Sequence, residues 1–268
     1  MDPEIAAMLE ARREPCIWFG HVGAPGSNNR LGGLPALPPG VDWPLHLKTK
    51  APLHFLLQVD LAELPPTPMP GCPFQATLPR SGMLYFFADI DEEMTFDDDI
   101  VRADGLPDPA RVVFAPSPGP ERAAPADLPM FKHAPRKVGG EFAKDAGILP
   151  AKPLQAFLVD SFWGDDENGF SVFENGEDYD ARMRSIAAAT GKDPAEDIPG
   201  GPQMFGAETR MYVGDCPTRP LDQILLLEFW ISLIDDGDGT AGVLQFWITP
   251  ENLRTRRFEK TFVISQFD

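Results

Sequence analysis

The sequence predicts an α+β chain, β-rich, built mainly of antiparallel sheets with a few short helices and an internal duplication. Three observations lead there. The 268 residues include 30 prolines and 24 glycines. Proline stands at roughly twice its ordinary ~5% share and breaks helix interiors, which excludes a helical bundle or coiled coil. Short apolar runs recur along the chain, bounded by Gly, Pro and Asp, as strands are. Three motifs also occur twice in one order. Hydrophobic residues are 43% of the chain, enough for a packed core, so residues 1–268 read as one compact domain with pseudo-repeats over about 15–150 and 151–268.

The elements follow in order. Asp2 to Arg13 reads as a helix, with Ile5, Met8 and Leu9 at i, i+3, i+4, Pro3 near its start and Pro15 ending it. Ile17 to Phe19 is a short strand. Leu53 to Leu61 is an apolar strand that runs into a short turn at Ala62-Glu63-Leu64, stopped by Pro65-Pro66. Gly82 to Ala88 is apolar on both faces, as a central strand must be. Arg111 to Phe114 is another strand, followed by a proline-rich connection to Pro129, and Leu154 to Val159 is extended. Asp178 to Thr190 is the clearest helix, with Tyr179, Met183, Ile186 and Ala187 on one face and Gly191 as its C-cap. Ile224 to Ile234 and Val243 to Ile248 form a hairpin across the Asp-Gly turn at 235–239. Pro250 to Arg254 starts a short helix, and Thr261 to Ser265 is the last strand.

The repeat pairs Gly32-Gly33 with Gly200-Gly201, Leu56-Leu57-Gln58 with Leu226-Leu227-Glu228, and Gly82-x-Leu84-x-Phe86 with Gly242-x-Leu244-x-Phe246. A duplicated unit packs about a pseudo-two-fold axis, placing the two strand sets in one sheet or in facing sheets.

The net charge of −18 argues against nucleic acid and against an anionic membrane surface, both of which require clustered Lys and Arg. The excess acid is confined to three segments. Asp89 to Ile100 holds seven acids, Asp160 to Asp180 eight and Asp235 to Asp238 three, with no base in any of them. Cys16, Cys72 and Cys216 are far apart and form no C-x-x-C, which suits free thiols in a reducing cytosol. The acidic start, Met1-Asp2-Pro3-Glu4, lacks the pattern of a secretory signal, and the longest apolar run is too short to span a bilayer. A cytoplasmic location is expected.

No catalytic motif emerges, and no cofactor or metal is expected. Gly32-Gly33 runs into Pro35 instead of opening a helix, so it is no phosphate-binding turn. A calcium loop starting at Asp236 would need Gly and Glu where Ala241 and Trp247 stand. His21, His46, His54 and His133 form no metal-binding spacing, and no nucleophile elbow occurs. The candidates that remain are for ligand or partner binding. Gln58 is the polar exception in an apolar strand, and a buried amide either ties backbone together or faces a pocket. Asp42 and Trp43 could wall a ligand site, together with Gln203 after the second glycine pair. Asp165, Asp166 and Glu167 form an acidic loop suited to a basic partner.

Several of these motifs resemble those of the YwqG-like proteins, a bacterial family without an assigned activity. The likeness is carried by the stretch from Leu31-Gly32-Gly33 to Asp42-Trp43-Pro44, by Phe55 to Pro65, by Leu78 to Phe87, by Gly200-Gly201-Pro202, and by Gly242 to Ile248 with Asn252-Leu253 and Phe258. It spans about residues 30 to 258. Two positions depart from the family pattern: no Trp precedes Gly239, and Glu228 stands where Gln is usual. The resemblance implies an α+β fold with an internal duplication and, for some members, an immunity-like role. The leading expectation is a non-catalytic cytoplasmic protein that binds a protein with a basic surface. The rival is an enzyme or small-ligand binder with a cleft between the pseudo-repeats, lined by Gly32 to Trp43 and Gly200 to Gln203.

Overall fold

A computed structural model of the chain describes residues 2–20, 26–65, 77–89, 110–130, 147–162, 173, 176–192, 201–207, 223–232 and 241–267. The first helix, α1 (Pro3–Ala11), starts where the Asp2 carboxylate accepts from the Glu4 amide at 2.8 Å, a side-chain cap that satisfies one of the free first-turn donors. The chain then passes at once into β1 (Arg13–Gly20). Pro15 therefore lies inside a strand and does not end the helix. It is tolerated because its opposite residue, Asp160, turns its N–H outward to Ser185 Oγ (2.8 Å), so this pair exchanges no ladder bonds.

The remaining strands are β2 (Arg30–Leu31), β3 (His54–Asp60), β4 (Met83–Ala88), β5 (Ala110–Ala115), β6 (Lys152–Pro153), β7 (Gln155–Phe162), β8 (Gln203–Met204), β9 (Ile224–Ser232), β10 (Ala241–Ile248) and β11 (Phe262–Phe267). They form two antiparallel sheets, ordered β5-β4-β3-β2-β6 and β11-β10-β9-β8-β1-β7. The fold is thus a β-rich α+β arrangement. β4 is an inner strand, between β5 and β3, and is buried along its whole length, as an apolar run on both faces requires. β9 and β10 are antiparallel neighbours, with the expected turn at 235–239 outside the described residues. A 3-10 turn at Leu61–Glu63 follows β3, and α3 (Pro250–Arg254) follows β10. Among the described residues no helix is long and apolar enough to cross a membrane.

The main core lies between the sheets. It joins Leu57, Val59, Leu84, Phe86 and Val112 of one sheet to Ile17, Phe19, Leu227, Leu244 and Phe246 of the other. Phe86 meets Phe246 edge-on at 5.3 Å, a preferred aromatic geometry. Each outer face carries its own apolar layer. Leu37, Leu53, Val41 and Trp43 cover Phe55, Met83, Tyr85 and Phe87 on the five-stranded sheet. The second long helix, α2 (Glu177–Thr190), lays Ile186 and Met183 on Cys16, Trp18 and Val159. Of the expected stripe, Ile186 is buried and Met183 packs beside it, while Tyr179 is 52% exposed and Ala181 is buried in addition. The cause is two-sided packing, because Ala181 faces Leu9 of α1 while Ile186 faces the sheet. Gly191 closes the helix in the left-handed conformation, its N–H reaching Ala187 O at 2.8 Å.

The register also fixes where the chain leaves the strands. Ser232 and Ala241, flanking 233–240, lie at one end of the six-stranded sheet, and Phe162, paired with Arg13, lies at the other. In the five-stranded sheet Ala88 pairs with Ala110 at the end that precedes 90–109. Phe114, near the far end of β5, packs on Phe258, which leads into β11 at the end remote from Ala241. The strand ends from which 89–100 and 235–238 depart therefore share one end of the sandwich.

Candidate functional site

Two rows of polar side chains cross the outer faces, one in each sheet. In the five-stranded sheet the row is Arg30, Gln58, Tyr85 and Val113; in the six-stranded sheet it is Trp18, Gln203, Glu228, Gln245 and Ile264. Both lie in the middle of otherwise apolar strands, where a polar group must be hydrogen-bonded or costs stability.

The first row holds a loop. Gln58 Nε2 donates to Asn28 O (2.8 Å), and its Oε1 accepts from the Ala36 amide (3.0 Å). Tyr85 donates its hydroxyl to Ala36 O (2.5 Å), while the Arg30 guanidinium donates to Leu34 O and pairs with Glu121. Gln58 thus ties backbone from both sides, each bond contributing about 1 kcal/mol net. The stretch from Leu34 to Leu37 is pinned across the sheet by these bonds and by Gly119 N to Ala36 O. Trp43 donates its Nε1–H to Leu53 O (2.8 Å) and meets Phe87 edge-on at 5.4 Å, while Asp42 is exposed. Below the row, Asn28, Asn29 and Ser27 are bound to Asp60 and Glu63, which fixes the approach to β2.

The second row is organised around a carboxylate. Glu228 is fully buried. Its Oε1 accepts from Gln203 Nε2 at 3.3 Å and its Oε2 from Gln245 Nε2 at 3.2 Å. Gln203 Nε2 also donates to Ala207 O (2.8 Å), and the Ala207 amide donates to Ser161 Oγ (2.8 Å). The turn Phe205-Gly206-Ala207 is thereby folded onto Cys16 and Ser161. Gly206 has φ +80, and a Cβ there would collide with Ser161 and Cys16. Only glycine fits. Burial pushes the Cys16 thiol up to about 12; Glu228 and Asp160 add to the rise against Arg182 and Ser161. The thiol therefore stays protonated at neutral pH, the opposite of an activated nucleophile. Among the described residues, Trp18 Nε1, Gln203 Oε1 and Trp247 Nε1 on this face are buried without a hydrogen-bond partner.

The expected site residues do not come together. Asp42, Trp43 and Gln58 belong to the outer side of the five-stranded sheet, Gln203 to the outer side of the six-stranded one, and the packed apolar layer runs between them. Gly32 to Trp43 and Gly201 to Gln203 therefore do not line a common cleft. Asp165, Asp166 and Glu167 lie outside the described residues. Sequence reasoning did not select Glu228, Gln245 or Ser161; the legible signal was that Glu228 and Gln245 interrupt apolar strands as Gln58 does. Among the described residues no group of three or more metal-ligating side chains is assembled.

A family described as Domain of unknown function (DUF1963) matches residues 29–266, from the approach to β2 into β11. The chain belongs to that family. No curated protein matches the chain.

Proposed function

We propose that the protein is a YwqG-like, non-catalytic cytoplasmic binding protein whose partner is a protein with a basic surface. The observation that carries this reading is the distribution of charge. The excess acid sits in three segments, and the strand ends that lead into two of them, 89–100 and 235–238, lie at the same end of the sandwich. Ten acids without a base, carried by two segments whose flanking strands end on the same side of the sheets, attract a cationic surface over about a Debye length, and such steering speeds encounter and selects the partner. The bonding of the polar rows supports the same reading, since Gln58 is consumed in holding backbone and the Cys16 thiol is held protonated. An immunity-like role, with the basic partner being a toxin, is one form of it.

The test is capture from native lysate at low and high salt. It uses the parent, a variant with Asp235, Asp236 and Asp238 changed to Asn, and a variant carrying Asp165→Asn, Asp166→Asn and Glu167→Gln. The expected result is one discrete basic protein, released at high salt and retained less by at least one variant that keeps the parent's circular dichroism. Retention of no protein, or retention indifferent to salt and to both variants, overturns the reading.

A further inference from the structure

The two sheets share more than a strand order. From the outer edge inward, β5-β4-β3-β2 and β11-β10-β9-β8 are the same antiparallel ladder. Gln58 lies between Arg30 and Tyr85, and Glu228 lies between Gln203 and Gln245. In both sheets the pairing slips by one residue just before that polar position. The slip leaves out Leu56 in β3 and Leu226 in β9, the two-against-one register of a β-bulge. Bulges are positioned features, so matching placement is informative. Directly after β2 come two residues of positive φ, Gly32 (+59) and Gly33 (+70); directly after β8 come Phe205 (+62) and Gly206 (+80). Phe205 is an uncommon residue for that conformation. In both units the side chain that opens the row then reaches the carbonyl four residues ahead, Arg30 to Leu34 O and Gln203 to Ala207 O.

This alignment revises the sequence repeat, because Gly32-Gly33 corresponds to Phe205-Gly206 and not to Gly200-Gly201. It also extends the match to the next strand inward. Leu154 donates its amide to Asn29 O at 2.9 Å, and Phe19 donates to Pro202 O at 2.8 Å. Both acceptors immediately precede the paired strands β2 and β8. The strand beside β2 is therefore β6, and its counterpart beside β8 is β1. Each lies in the sheet of the other half, since β1 precedes β2 in the chain but completes the sheet of β8, and β6 precedes β8 but completes the sheet of β2. Phe86 and Phe246, counterparts in this alignment, touch each other, as residues on a two-fold axis do.

We infer that residues 13–130 and 150–267 are two copies of one unit that exchange their first strands. The edge of β2 and the edge of β8 are thus equivalent surfaces, each shaped to receive a strand from another copy of the unit. The protein is built as a symmetric dimer joined into one chain, and neither half has a complete sheet without the other.

A protease recognition sequence inserted between residues 138 and 139 of the full chain tests this. After cleavage of the folded protein, the two pieces are expected to co-elute with the uncut chain and to unfold in one transition whose midpoint falls on dilution. Pieces that separate without denaturant, or melt in two concentration-independent steps, overturn it. Should the insertion block folding, hydrogen exchange on the uncut Phe86→Ala chain answers the same question. Protection is expected to drop in β8–β10 as well as in β3–β4, and a drop confined to the five-stranded sheet overturns the inference.

Discussion

The two outer faces present the same backbone with different chemistry. At one position the row is centred on an amide, Gln58, both ends of which are taken by main chain, so that a proline-rich layer is fastened over the sheet. At the matching position the other row is centred on a carboxylate, Glu228, flanked by two amides, with Gln203 Oε1 and two indole N–H groups on the same face lacking partners among the described residues. Apolar alternation and a bulge suffice to specify the ladder. The residue at the row's centre is then free to differ, provided that its hydrogen bonds are met locally. One row has become a clasp for its own chain, and the other keeps a buried acid.

That comparison can be broken most forcefully at the aromatic contact between the sheets. Phe86→Ala and Phe246→Ala each remove a fully buried ring from the common core, and each is expected to cost about 3–5 kcal/mol in denaturant unfolding. Costs that differ by more than about 2 kcal/mol would show that the two positions are not counterparts in energy, given the spread that cavity collapse produces. A smaller effect separates the rows themselves. Gln58→Leu leaves the Ala36 N–H and the Asn28 carbonyl without their partner and is expected to cost about 2 kcal/mol. Glu228→Gln keeps the volume and part of the bonding, and the expected cost is about 1 kcal/mol or less. If Glu228→Gln proves the more damaging change, the second row is committed to a carboxylate.

A further effect is alkaline and comes from one group on each face. Burial raises the Cys16 thiol from 9.0 to about 12 and the Tyr85 hydroxyl from 10.0 to about 12, the latter helped by Asp60 and opposed by Arg30. Both groups bind their proton more tightly in the folded state. Above pH 9 the unfolded chain loses these protons first, so stability present below that pH declines as pH rises toward 12. Unfolding midpoints measured from pH 8 to 11 are expected to fall less steeply in Cys16→Ala and in Tyr85→Phe than in the parent. Parallel slopes in all three would remove both groups from the account.

The strands were legible in the sequence because apolar runs and their Gly, Pro and Asp boundaries are local signals. β3, β4, β5, β9, β10 and α3 lie within a few residues of where those runs place them. The exceptions were decided by neighbours. Pro15 argued for a break, and a strand formed because the pair with Asp160 needs no ladder bond there. On α2 the buried Ala181 was missed because the helix is gripped by α1 as well as by the sheet. Of the candidate site, the polarity of Gln58 was visible, while its partners Asn28 and Ala36 were not, being 30 and 22 residues away.

By itself the sequence determined the β-rich α+β class, the doubled motifs and the confinement of excess acid to three segments, because propensity, periodicity and charge are properties of neighbouring residues. Only the tertiary structure decided which outer face each polar side chain occupies, that Gln203 and Gln58 stand on opposite sides of the core, and that β1 pairs with β8 while β6 pairs with β2. Those choices rest on pairings between distant strands. Burying two apolar faces against each other selects among them, and no local pattern records which partner strand is used.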